Sequence, residues 1–156
     1  MIDIVIPTYK NDLGLEKTLM SIYLQDIEVP YKVTIISNKI NNDLIDKYNK
    51  IIPINYIETN EINNFKDISI NNTNYPYIIF IEENDLFYNI ETLNILYKNI
   101  ILNNDSVIGY EMTTNDKPTY ISDTIYWKLF DKEKLKNNNI INTYTFNDII
   151  CIKEKE

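Results

Sequence analysis

Three acidic side chains, Glu82, Glu83 and Asp85, fall within four residues directly after the apolar run at residues 77–81, with Asn84 among them. Carboxylates that close at the end of a buried segment repel one another unless a cation or solvent screens them. At about 4 Å and an effective dielectric of about 20, one like-charge pair costs roughly 4 kcal/mol. The pattern points to a hard divalent ion with oxygen ligands, Mg²⁺ or Mn²⁺, able to bridge to an anionic diphosphate. A solvated acidic turn fits the same residues and stays open. The second stretch of this kind is Pro7-Thr8-Tyr9, after the run Ile2-Asp3-Ile4-Val5-Ile6. Proline cannot donate to a sheet ladder, so the strand is expected to end at Ile6 and to deliver the Thr8 hydroxyl and the Tyr9 ring to a sheet edge. Tyr9 also reads as one more rim tyrosine among 13.

Composition removes whole classes of chemistry. With no histidine and one cysteine, Cys151, the chain can form no internal disulfide, no Cys/His zinc site and no triad that needs imidazole. It also lacks arginine, so anion binding must rest on lysines, backbone N–H groups or a bound cation. The formal charge of −8 argues against general affinity for nucleic acid. No apolar run approaches the roughly 18 residues of a spanning helix, and the N-terminus enters a strand directly. The expectation is a soluble, cytoplasmic protein without a transmembrane segment. Isoleucine and asparagine far exceed ordinary usage, as expected of an AT-rich genome, so clusters such as Asn137-Asn138-Asn139 carry no functional signal.

The elements that must position these residues alternate. Leu15, Leu19 and Ile22 share one helical face after the first strand, with Asn11 or Asp12 as N-cap. Residues 31–36 read as a strand, 41–50 as a helix burying Leu44, Ile45 and Tyr48, 54–57 as a strand and 65–71 as a helix. Residues 77–81 read as a buried central strand. Asn89 caps a helix whose apolar face is Leu93, Leu96, Tyr97, Ile100 and Ile101. Beyond Asn104 come strands at 106–110 and 119–121 and a helix at 131–138. Strand–helix alternation in 156 residues predicts one α/β domain with a mainly parallel, twisted sheet flanked by helices. If the strand order is 3-2-1-4, the ends of the first and fourth strands bracket the switch point where ligands bind, and Ser37-Asn38 joins them.

The segments IVIPTYKN and LEKTLMSIYLQ, at residues 4–11 and 15–25, resemble the entry of family 2 glycosyltransferases with the GT-A fold. Residues 77–85 (YIIFIEEND) sit where that family has a strand entering its acidic metal motif. Residues 127–135 (WKLFDKEKL) and 146–149 (FNDI) are similar to its W-x-L-F-x-K-E-x-L and E-D-I segments. The matches occur in family order and cover nearly the whole chain. The resemblance implies a single GT-A-like domain, residues 1–156, with a nucleotide-binding half (1–104) and an acceptor-side half (105–156). It implies an inverting, metal-assisted transfer of a sugar from a nucleotide-diphosphate donor, a UDP-sugar favoured, to a hydroxyl acceptor. Pro7, Thr8, Tyr9, Asn38 and Glu82 then bind the nucleotide, Glu82, Asn84 and Asp85 hold Mn²⁺ or Mg²⁺, and Asp148 is the general base.

Each role has an alternative. Asp148 also suits a helix N-terminus following Thr145, favoured by the macrodipole. Trp127 is either the floor of an acceptor sugar subsite or core, and Cys151 is a small apolar residue near a helix end. Asn38, Glu82, Asn84 and Asn147 depart from the family pattern, so a catalytically degenerate binding or scaffold protein is the rival reading. A nucleotidyltransferase would need a glycine-rich phosphate loop, which is missing.

Overall fold

The computed structural model describes residues 1–9, 12–39, 41–103, 105–112, 118–121 and 124–153. Strand β1 (Ile2–Thr8) leads through helix α1 (Asp12–Tyr23) to β2 (Tyr31–Ser37), α2 (Asn42–Asn49) and β3 (Ile54–Glu58). A 3₁₀ turn (Ile62–Asn64) runs into α3 (Phe65–Asn72), followed by β4 (Tyr77–Phe80), β5 (Leu86–Phe87) and α4 (Thr92–Asn103). The remainder adds β6 (Ser106–Met112), β7 (Pro118–Tyr120), β8 (Leu129–Asp131), α5 (Lys132–Lys136) and β9 (Thr143–Ile152). The strands form one sheet in the order β3-β2-β1-β4-β8-β6-β9-β5, with β7 pairing β6. It is parallel from β3 to β4 and again between β6 and β9; the other pairs are antiparallel. This is an α/β fold with the expected 3-2-1-4 order.

Strand alternation sorts the core into two layers. Ile2, Ile4 and Ile6 of β1 face α1, α2 and α4 through Leu19, Ile22, Ile45, Tyr48, Leu96 and Ile100. Val5, Ile36, Ile78 and Phe80 point to the other side, where Ile62, Ile70 and Leu135 cover them. Each such side chain, once buried, contributes about 1.5–3 kcal/mol. The chain lays β1, β2 and β3 outward with helices on one face. It then crosses back with α3 on the other face to seat β4 beside β1, as right-handed crossovers require.

Several expectations are corrected. β1 does not stop at Ile6; it runs to Thr8, with Pro7 opposite Ile36. The β4 ladder against β1 pairs only as far as Val5 and Phe80, and the Val5 carbonyl accepts from Ile81 N–H on that side. Pro7, two residues on, therefore turns its missing donor towards a side where the ladder has ended. Residues 145–151, expected in or near a helix, lie on β9, so Asp148 and Cys151 are strand residues. The run TYTFNDIICI is aromatic and β-branched, and that preference prevails over the Asn147-Asp148 start signal. The helix expected at 131–138 spans only Lys132–Lys136. Asp131 ends β8 and caps the helix, its carboxylate accepting from Lys134 N–H at 3.1 Å. Helix α4 begins at Thr92. Asn89 forms the turn ahead of it, accepting from Glu91 N–H at 2.8 Å, and Ile101 is exposed rather than part of the buried face. Asn11 and the boundary at Asn104 lie outside the described residues.

Gly109 is the tight point of the distal half. The β6–β9 register jumps there, from Ile108↔Thr145 to Tyr110↔Ile149, so three residues of β9 bulge opposite one glycine. A Cβ at position 109 would lie 2.5 Å from the Asp148 carbonyl oxygen and 2.6 Å from Ile150 Cγ2. Gly109→Ala is therefore expected to lower stability by about 1–3 kcal/mol, as overpacking does. Urea denaturation checks it, and unchanged stability would mean that the bulge relaxes freely.

Candidate functional site

Three strand ends meet at the carboxyl edge of the parallel half. Thr8 pairs with Ser37 across β1 and β2, and the Thr8 hydroxyl donates to Glu83 in a short hydrogen bond. The Tyr9 N–H also points at the Glu83 carboxylate, at 3.3 and 3.4 Å. Glu83 thus joins the end of β1 to the loop after β4. The Ser37 hydroxyl and Lys39 backbone close a turn, at 2.8 and 3.2 Å, with Asn38 exposed within it. A groove lined by Thr8, Ser37, Lys39 and Asn41 runs between the ends of β1 and β2. The Tyr9 side chain is exposed beside it.

The acidic loop is held from beneath by α1. The Asn84 N–H donates to the Gly14 carbonyl at 3.1 Å, and the Thr18 hydroxyl donates to the Asp85 carbonyl at 2.9 Å. Asn84 adopts φ 73°, a left-handed conformation that asparagine tolerates better than most residues. Asparagine therefore has a backbone reason to stand there.

Asp85 is buried, and the indole N–H of Trp127 donates to its carboxylate at 3.0 Å. The Lys153 ammonium lies 3.1 Å from Glu82, 3.5 Å from Asp85 and 3.9 Å from Glu111. Burial pushes the Asp85 carboxyl up to about 6, against the Trp127 hydrogen bond and the Lys153 charge, which pull it down. For Lys153, burial opposes the ammonium, but Asp85 and Glu82 outweigh it and hold its pKa above the usual lysine value. Tyr126 is stacked on Phe65 with ring centroids 5.7 Å apart. Its hydroxyl is harder to ionise than an ordinary phenol because of burial first and the nearby Glu82 charge second.

The structure thus brings together Pro7, Thr8, Tyr9, Asn38, Glu82, Asn84 and Asp85. Asp148 is exposed on the β9 bulge beside Gly109. Trp127 is fully buried, its ring edge-to-face with Phe87 at 5.0 Å. Neither ring face is open to a sugar, so the expected acceptor platform is corrected to a core residue that orients Asp85. Lys153, Glu111 and Tyr126 were missed in the sequence. Lys153 and Glu111 could have been found only by recognising that β9 pairs with both β5 and β6.

Among the described residues no three acidic, histidine or cysteine side chains form a ready-made metal cage. Glu82 and Asp85 nevertheless converge on one cation, the Lys153 ammonium, which marks a position where two carboxylates can share a positive charge. A hard ion such as Mg²⁺ commonly takes one or two carboxylates and completes its shell with water and substrate phosphates. The donor set fits such an ion.

The raised Asp85 pKa sets the sign of a pH effect. The folded state holds the proton more tightly than the unfolded one, so the contribution of Asp85 to stability is full below its ordinary value of 3.8 and is lost as pH rises through about 6. In EDTA, the stability of the wild type minus that of Asp85→Asn should fall between those limits, by on the order of 3 kcal/mol. Thermal melts of both proteins from pH 3.5 to 7.5 measure it; a flat difference would mean that Asp85 ionises as freely as in water.

No protein-family model matches the chain, and no curated protein matches it. Solved structures do. S. aureus TarS (residues 1–349) superposes with a TM-score of 0.79 at 15% identity, covering 98% of this chain and 60% of that one. The same protein in complex with UDP-GlcNAc gives 0.81 at 14% identity, covering 99% and 58%. The mannosyltransferase PcManGT from Pyrobaculum calidifontis, in complex with GDP-Man and Mn²⁺, gives 0.76 at 12% identity, covering 97% and 56%. The chain spans about 60% or less of the length of these structures. Among the described residues no helix is long and apolar enough to cross a membrane. At these identities the likeness speaks for architecture: the chain has the GT-A glycosyltransferase fold.

Proposed function

We propose that this chain is an inverting glycosyltransferase that moves a sugar from a nucleotide-diphosphate donor, a UDP-sugar favoured, to an acceptor hydroxyl. The observation that carries the reading is the convergence of Thr8, Tyr9, Asn38 and the Glu82–Asp85 loop at the switch point of a GT-A sheet. Structures of the same fold that hold UDP-GlcNAc or GDP-Man support it. The single-domain division, with residues 1–104 serving the nucleotide and 105–156 the acceptor, belongs to the same proposal.

The Asn38 amide offers both donors and acceptors to a base edge, and the exposed Tyr9 ring offers it a stacking face. Thr8 would position the base with Tyr9, and Pro7 and Glu82 complete the nucleotide-binding set. Bound by Glu82 and Asp85, with the Asn84 amide oxygen as a neutral ligand, Mn²⁺ or Mg²⁺ would neutralise charge on the departing diphosphate. Asp148 would accept the proton of the acceptor hydroxyl as its oxygen attacks the anomeric carbon. The bond from that carbon to the diphosphate oxygen breaks, and the configuration inverts. Trp127 acts through Asp85 and not on the acceptor.

The degenerate reading finds support in Glu83, whose carboxylate is committed to Thr8 and Tyr9. Slow hydrolysis of uridine, guanosine or thymidine diphosphate sugars by water separates the two readings: turnover supports the enzyme, and its absence across all three supports the scaffold.

Two outcomes are expected. Calorimetry should show UDP or GDP binding in Mn²⁺ and its loss in EDTA; equal affinity in both would remove the metal from the reading. Asp148→Asn should cut sugar transfer at least about a hundredfold while leaving donor affinity nearly unchanged, because a general base supplies roughly 10²–10⁴ in rate. A smaller effect in the folded variant would place the base elsewhere.

A further inference from the structure

Lys153 is not an ordinary surface ion pair. Its side chain is partly buried, and its ammonium faces carboxylates from two parts of the sheet, Glu82 and Asp85 after β4 and Glu111 on β6. Its backbone is pinned as well. The N–H donates to the Met112 carbonyl at 3.0 Å, and the preceding residue, Ile152, pairs with Leu86 at the other end of the acidic loop.

A Mg²⁺-like ion ligated by Glu82 and Asp85 would need carboxylate oxygens at about 2.0–2.1 Å. The point between those two carboxylates is where the ammonium now sits. Two cations sharing that partly buried space, a few ångströms apart, would repel each other. We propose that Lys153 is a built-in cation that competes with the divalent ion for Glu82 and Asp85, so that metal alone binds weakly and enters together with the anionic diphosphate. On this view the diphosphate supplies new anionic partners, and the lysine side chain turns to them as it leaves the carboxylates. Such an exchange couples metal capture to donor capture, and a chain without arginine has few other means of doing so. The inference rests on the proposed metal position and adds what controls its occupancy.

The test measures Mn²⁺ affinity of the nucleotide-free protein by electron paramagnetic resonance, so no turnover is involved. Lys153→Met should bind Mn²⁺ at least about tenfold more tightly than the wild type, whereas Lys153→Arg, which keeps the charge, should stay within about threefold of it. Lys50→Met, on an exposed residue of the α2 C-terminus, changes the net charge by the same amount and should leave the affinity within about twofold. Asp85→Asn combined with Lys153→Met should lose the gain. Equal or weaker Mn²⁺ binding by a Lys153→Met protein whose melting curve shows it folded would overturn the competition. An equal gain in Lys50→Met would overturn it too, because the effect would then be long-range charge. A gain that survives Asp85→Asn would place the ion elsewhere and likewise overturn it. UDP titrations in Mn²⁺ judge the donor-binding reading separately: Mn²⁺-dependent UDP binding with no Lys153 effect would leave that reading standing and remove this one.

Discussion

Asp85 sits at the rim of the hydrocarbon core with its carboxylate between the indole N–H of Trp127 and the ammonium of Lys153. A buried carboxylate is tolerated only when hydrogen bonds and opposite charge replace the water it has lost. Trp127 must therefore be buried with its N–H aimed inward, and it takes φ 65° with its own N–H on the Phe80 carbonyl at 2.8 Å. Lys153 must be brought in from the far end of the chain, which is what the short β5–β9 pairing does. Removing either partner would leave the other charge or dipole stranded, a loss of the kind that costs about 3–5 kcal/mol for a buried ion pair.

The sheet reversal supplies the other half of the geometry. Because β4 returns to the side of β1 opposite β2, the ladder on that side stops early and leaves the ends of β1 and β4 splayed. Pro7 and the Glu83 bridge to Thr8 and Tyr9 occupy that opening. Helix α1 then serves twice: Leu15, Leu19 and Ile22 fill the core, while Gly14 and Thr18 hold the loop by its backbone. Of the loop's carboxylates only Glu83 joins in that tethering, through Thr8 and Tyr9.

The first four strands and the helices α1, α2 and α4 were legible because each strand is a compact β-branched run and each helix shows a stripe such as Leu44, Ile45 and Tyr48. The strand ends of the candidate site came with them. β5 was not legible because two residues carry no period. β9 was not because its bulges break alternation, putting Phe146, Ile150 and Cys151 inside at spacings that suit neither a flat strand nor a helix. Lys153, Glu111 and the true role of Trp127 all depend on those two elements. Any reading that placed Asp148 and Cys151 on a helix had to miss the cation beside Asp85.

The bond between Lys153 and Glu82 spans 71 positions of sequence, and this has a consequence for how the molecule assembles. The parallel half can collapse on contacts made within residues 2–81, but the loop that follows it stays without its counter-charge until β9 docks. Closing so long a segment costs entropy before any contact repays it. During synthesis the nascent chain would carry the groove between β1 and β2 beside an electrostatically unfinished loop. Strand β9, which follows the other described strands in sequence, is the one that completes it.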